Sequence, residues 1–250
     1  MNIHTLYALC GRRFRKRRMT KFYQALKPTE SSTILDIGGY PGTWTRFPTK
    51  PLVTILNIRP VEFTQTEDYP WIDTVVGDGC KLNYPAGSFD IVFSNSVIEH
   101  VGSFERQQAF AREAHRVGRS LWIQTPAREF FMEPHLLTPF IHFLPISIQR
   151  KFIRRFTLWG VLTKPTAMDI QRFLEEVRLL TYREMKQLFP DSNIYRETVC
   201  GFTKSYVAVR KCGTYEAGLV SARGRNLASL QSEGAAPIRR DRSIAETKCE

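Results

Sequence analysis

Apolar residues in this chain come in short runs rich in β-branched side chains, the pattern of strands buried on both faces of a parallel sheet. The runs cover residues 34–37, 52–58, 74–76, 89–93 and 120–125. The first four lead into polar or glycine-rich turns, and the fifth stops at Pro126. Residues 104–116 predict a helix between the fourth and fifth strands, with Phe104, Ala111 and Ala114 toward the sheet. Thr181-Tyr182-Arg183-Glu184 reads as a capping box that opens a helix to about Phe189. Residues 193–200 and 204–210 then predict a hairpin.

Residues 126–180 interrupt this alternation. The segment is aromatic and punctuated by Pro134, Pro139 and Pro145, and it follows the fifth strand. It predicts a cap over the mouth of a site, and Pro139 and Pro145 argue against a single clean helix. Residues 1–30 predict a basic helical lead-in with Leu6, Leu9, Phe22 and Leu26 as docking residues. Residues 212–250 lack apolar periodicity and predict a disordered tail.

The most informative stretch is Ile34-Leu35-Asp36-Ile37-Gly38-Gly39-Tyr40-Pro41-Gly42. Here a buried strand opens onto a turn in which Gly38 and Gly39 allow positive φ and close approach of a ligand. The spacing D-x-G-x-x-x-G is not the dinucleotide fingerprint, which argues against a nicotinamide oxidoreductase. Asn57 ends the second strand, Asp78 and Gly79 follow the third, and Asn95 and Ser96 follow the fourth. Ligands of open α/β sheets bind outside such carboxyl ends.

With LDIGGYPG, LNI, VVGDGCKLNYPAGSFDIVFSNSVIEHV and LWIQTPA in hand, the chain resembles the class I S-adenosylmethionine-dependent methyltransferases of the type 11 kind from residue 33 to about residue 127. The resemblance implies an α/β, Rossmann-like sheet of seven mostly parallel strands, one antiparallel, with helices on both faces. Residues 31–211 would form that domain. It implies S-adenosylmethionine as cofactor, with Asp36, Gly38, Gly39 and Gly42 around its amino-acid end and sulfonium. Asn57 would take the ribose, Asp78 and Gly79 the adenine, and Asn95 and Ser96 would lie nearest the methyl group. Two departures stand out. The ribose position is usually acidic in this family, and Pro48 and Pro51 leave room for only a very short first helix.

Candidate bases are His100, His135 and Glu99, with loop-orienting hydrogen bonds as the alternative role for Glu99 and His100. His142, among apolar neighbours, reads as structural. No group along the chain has metal-ligand spacing, so no metal is expected. The net charge is +12, and residues 1–27 hold eight Lys or Arg and no acid. That arm, with a second cluster at residues 150–155, predicts contact with an anionic membrane surface or a nucleic acid. Five cysteines without a framework suggest a reducing compartment, with Cys80 and Cys200 as packing residues. No uncharged apolar run is long enough to span a bilayer and no secretory signal is visible, the N-terminus running apolar first and then basic, so a cytoplasmic protein able to touch a membrane is expected. The expected reaction is methyl transfer to a small-molecule, lipid or saccharide acceptor. The competing readings are methylation of RNA or another anionic macromolecule, and a non-catalytic scaffold.

Overall fold

The valine-, isoleucine- and leucine-rich runs pair as their burial demands. The structure, a computed structural model, describes residues 3–46, 48–61 and 69–212, with side chains from residue 14. From residue 213 the expected tail lies outside the described residues, as do the side chains of Leu6 and Leu9. The strands are β1 (Thr33–Ile37), β2 (Leu52–Asn57), β3 (Ile72–Val76), β4 (Phe89–Asn95), β5 (Gly118–Pro126), β8 (Asn193–Val199) and β9 (Phe202–Arg210), while β6 (Met132–Glu133) and β7 (Thr138–Pro139) make a separate small ladder. The seven-stranded sheet runs β3-β2-β1-β4-β5-β9-β8. β1 to β5 are parallel, and β9 is antiparallel to both of its neighbours. This is the expected Rossmann-like class.

The chain order reverses between β1 and β4, the switch point where open sheets hold ligands. Ile37 pairs with Leu56 on one side and Ser94 on the other, so Gly38, Asn57 and Asn95 leave the sheet along one edge. The ladder extends into the turns: the Gly38 amide donates to the Leu56 carbonyl at 2.7 Å, and the Ser96 amide donates to the Gln124 carbonyl at 3.0 Å.

The two faces are covered differently. On one, α2 (Phe104–Val117) and α6 (Tyr182–Leu188) bury Phe110, Ala111, Ala114, Met185 and Leu188 against Leu35, Ile37, Val92 and Leu121. Ser103 caps α2, and Thr181 with Glu184 closes the expected capping box of α6. On the other face, the described residues of the β1–β2 connection carry only a 3-10 turn, Pro41–Thr43. The N-terminal helix α1 (Ile3–Leu26) covers that face instead. Its Phe22 is fully buried, with ring centroids 5.1 Å from Phe93, 5.6 Å from Trp122 and 5.9 Å from Trp44, all edge to face. Such pairs add about 0.5–1.5 kcal/mol each beyond area burial. The basic lead-in is therefore a layer of the domain.

The cap has its own core. The helices α3 (Ile146–Phe156), α4 (Leu158–Thr163) and α5 (Ala167–Glu176) enclose Leu136, Ile141, Ile153 and Ile170. Pro139 ends β7 and Pro145 stands just before α3, so the prolines divide the segment as expected. Cys200 corrects the sequence reading: it is exposed at the β8–β9 turn with φ 49°, whereas Cys80 packs against the α2 core. Among the described residues, no helix is long and apolar enough to cross a membrane.

Phe22→Ala is expected to cost about 3–5 kcal/mol in denaturant unfolding. Met168→Ala, at a side chain 72% exposed, should shift stability by under about 0.5 kcal/mol.

Candidate active site

The turn after β1 is built around Asp36. The side chain is 1% exposed, and its Oδ2 accepts a hydrogen bond from the Trp44 indole Nε1 at 2.7 Å. Oδ1 is buried without a partner. Burial pushes the Asp36 carboxyl up to about 7, against the Trp44 bond, which lowers it. Gly38 has φ +72°, and a Cβ on Gly39 would overlap the Asp36 carboxylate at 1.8 Å, so both positions require glycine. Gly42 lies in the 3-10 turn that follows.

Asn57 donates from Nδ2 to the Gly39 carbonyl at 2.9 Å, so it fastens β2 to the turn. Beside these polar groups stand Tyr40 and Ile58, 62% and 72% exposed, at the carboxyl ends of β1 and β2. The sequence reading passed over both. Exposed apolar residues next to a glycine turn are the signal that would have found them.

Asp78 is committed to protein partners. Its Oδ1 accepts from the Cys80 amide at 2.9 Å and its Oδ2 pairs with Arg106 at 2.9 Å. Burial would raise its pKa, but those two partners outweigh burial and lower it. Gly79 lies against Ile37 and Phe110, where a Cβ would come within 2.8 Å, so it also serves packing.

At the ends of β4 and β5, Asn95 and Ser96 do not cap the following turn, which has no side-chain cap. Ser96 donates to Gln124 Oε1 at 2.9 Å. Arg18, 6% exposed, reaches in from α1 and donates to Asn95 Oδ1 at 2.5 Å, to Gln124 Oε1 at 2.8 Å and to Glu197 at 2.5 Å. Arg18, Asn95, Ser96 and Gln124 line a cavity of about 210 Å³, together with Phe14 and Lys204. Arg18 was read as one cation in a surface run. It stands one helical turn before Phe22, and that spacing puts it on the buried face of α1.

The base candidates do come together. Glu99 is fully buried; its Oε2 accepts from Thr125 Oγ1 at 3.0 Å, and its Oε1 has no partner. Burial raises the Glu99 pKa to about 7, opposed by His135, Thr125 and Arg18. His100 and His135 face each other at 3.1 Å between their Nε2 atoms, and His135 Nδ1 lies 2.8 Å from Glu133 Oε1. Glu133 Oε2 in turn accepts from the Leu136 amide. One face of His100 is in water; desolvation of the other, and then the His135 charge, lower its pKa. Burial works against charge on His135, but Glu133 and Glu99 outweigh it and raise that pKa. Near neutral pH the pair thus combines a neutral His100 with a His135 that holds a proton more tightly. Glu133, the residue that orients His135, was not singled out in sequence. His142 lies apart, its Nε2 at 2.9 Å from the Arg128 carbonyl.

The Asp36→Asn variant checks the buried acid. The folded pKa lies above the ordinary carboxylate value, so protonation stabilises the fold at low pH and that stability is lost as pH rises from about 4 through about 7. Unfolding at pH 4 and pH 8 should show the variant gaining on wild type by up to roughly 4 kcal/mol at the higher pH. Arg18→Met removes the ion-pair partner of Glu197, leaving it the Ser205 hydroxyl, and should cost about 3–5 kcal/mol. Arg18→Met with Glu197→Gln should recover most of that loss in a double-mutant cycle.

Comparison with known proteins follows the same lines. Residues 36–120 match the family described as a methyltransferase domain. A search of curated protein sequences finds no match. Among solved structures, a phosphoethanolamine N-methyltransferase 2 of Haemonchus contortus, bound to S-adenosyl-L-methionine, is similar over 73% of this chain and 39% of its own, at 15% identity and TM-score 0.48. A protein of Pyrococcus horikoshii OT3 is similar over 80% of this chain and 91% of its own, at 15% identity and TM-score 0.46. The [4+2]-cyclase SpnF is similar over 47% of this chain and 46% of its own, at 15% identity and TM-score 0.39. The chain thus spans less than half the length of the cyclase and of the nematode enzyme. At these values the likenesses add nothing to the family match, the strand order and the glycine turn. On those three grounds the chain carries a class I S-adenosylmethionine-dependent methyltransferase domain, residues 36–120 belonging to the methyltransferase domain family.

Proposed function

We propose that the protein transfers a methyl group from S-adenosylmethionine to a hydroxyl-bearing small-molecule, lipid or saccharide acceptor presented at the Glu99–His100–His135 corner. The observation that carries this reading is the shared edge. The Asp36 turn follows the carboxyl end of β1, Asn95, Ser96 and the turn carrying His100 follow that of the adjacent parallel strand β4, and His135 meets His100 there from the cap. Asp36, with one oxygen unpartnered, and the Gly38–Gly39 backbone would hold the amino-acid end of the cofactor. Tyr40 and Ile58 offer apolar cover for its ring system, and Asn57 faces the ribose position.

The cofactor supplies a methyl carbon already activated by positive sulfur. The protein contributes alignment and dryness, and positioning of this kind is worth roughly 7–11 kcal/mol. A group that takes or weakens the acceptor proton adds on the order of 10²–10⁴-fold. The buried Glu99 carboxylate and the His100–His135 pair are the groups at this corner that could serve that task.

The outer face of the cap favours an apolar or membrane-borne acceptor. Phe143, Ile146, Phe152, Phe156 and Leu162 are exposed there, next to the cations Arg150, Lys151, Arg154 and Arg155. Apolar side chains edged with cations suit an anionic bilayer surface.

Calorimetry with S-adenosylhomocysteine, with NADH as control, tests the cofactor reading. Micromolar binding is expected, weakened at least tenfold in Ile58→Asp with an unchanged melting temperature. A folded wild-type sample that binds neither S-adenosylhomocysteine nor S-adenosylmethionine would sink the enzyme reading.

A further inference from the structure

We propose that Glu99, His100 and His135 form a binding site for one divalent transition-metal ion of the zinc class. Their ligand atoms lie within 4.8 Å of one another, in a group that is the one cluster of three or more metal-capable side chains among the described residues. Sequence spacing could not reveal it, because His135 comes from the cap and the other two residues from the turn after β4.

Three features favour an ion over a simple histidine–histidine hydrogen bond. First, Glu133 Oε1 sits 2.8 Å from His135 Nδ1, so the neutral ring, the form that binds a metal, would carry its proton on Nδ1 and turn its Nε2 lone pair toward His100. A carboxylate behind a histidine is the arrangement that orients metal-bound imidazoles, and the Leu136 amide holds Glu133 in turn. Second, the two Nε2 atoms stand 3.1 Å apart. Two nitrogens at about 2.1 Å from a tetrahedral ion stand roughly 3.4 Å apart, so a small ring adjustment admits the ion. Third, Glu99 Oε1 is buried and unpartnered while Oε2 is tied to Thr125. A buried carboxylate oxygen without a donor is costly, and a cation would satisfy it.

Two imidazoles and one carboxylate match zinc and its first-row neighbours better than magnesium or calcium, which prefer all-oxygen shells. Three protein ligands leave a position open. An acceptor hydroxyl at that position would lose its proton more readily. That use rests on the methyltransferase reading, whereas binding of the ion does not.

The test uses the full chain after chelation and dialysis. Zn²⁺ is titrated by calorimetry, and Co²⁺ is followed by its visible absorption. One equivalent is expected, without a thiolate-to-cobalt charge-transfer band. His100→Ala and His135→Ala, each checked for fold by circular dichroism, should weaken binding at least tenfold. Glu99→Gln keeps the Thr125 contact and should also weaken it, and Glu133→Gln should cost about 10–100-fold. Cys200→Ser with Cys212→Ser should leave binding unchanged. Absence of binding in wild type, or equal binding in both histidine variants, would overturn the site. S-adenosylhomocysteine binding is measured on the same samples. If it persists where no ion binds, the ion site is wrong and the methyltransferase reading survives. If the ion binds and S-adenosylhomocysteine does not, the ion site holds and that reading falls.

Discussion

The β1–β2 connection is too short, and too rich in proline, to carry a helix, and much of the structure follows from that constraint. A parallel sheet needs both faces covered, because its strands are apolar on each side. With only the Pro41–Thr43 turn available, the face bearing Ile34, Val53, Ile55 and Phe93 would lie open. Helix α1 supplies the missing layer, with Phe22 seated among Trp44, Phe93 and Trp122. Because α1 lies across that face with Arg18 at the carboxyl ends of the strands, it also delivers Arg18 to Asn95, Gln124 and Glu197. One packing requirement thus adds a buried cation to the site.

Trp44 shows the same economy. It fills the aromatic cluster under α1 and also donates to Asp36. The acid of the glycine turn is therefore held by a core residue rather than by water. Core packing and the state of the site are coupled through that indole, so a change in either reaches the other. On the far side of the switch point, Glu99 plays a comparable part. It is buried against Thr125, and its backbone carbonyl accepts from the Arg178 amide in the segment that returns from the cap.

Much of the fold was legible in the sequence because it is written in short periods. Strands buried on both faces leave continuous apolar runs, and the glycine turn leaves Asp36, Gly38 and Gly39 at fixed spacing. The capping box at Thr181 and Glu184 appeared where it was read. The prolines of the cap divided it as their fixed φ requires. The cysteine at the β8–β9 turn was misread, because alternation along a strand does not show where a hairpin reverses.

By itself the sequence determined the strand set, the ligand-facing turn, the cofactor class and the residues available for chemistry. All of these depend on local spacing or on a family pattern in consecutive residues. The partners of those residues depend on distance in space. Arg18 reaches Glu197 across 179 positions, and His135 meets His100 across 35. The one-turn spacing to Phe22 separates Arg18 from Arg17, but no linear pattern names Glu197 as its partner. Tertiary structure alone decided that the basic helix is a core layer and that the cap histidine meets His100 beyond the end of β4. The reason is physical: burial removes water as a partner, and each enclosed polar group must then find its counterpart wherever the fold brings one near.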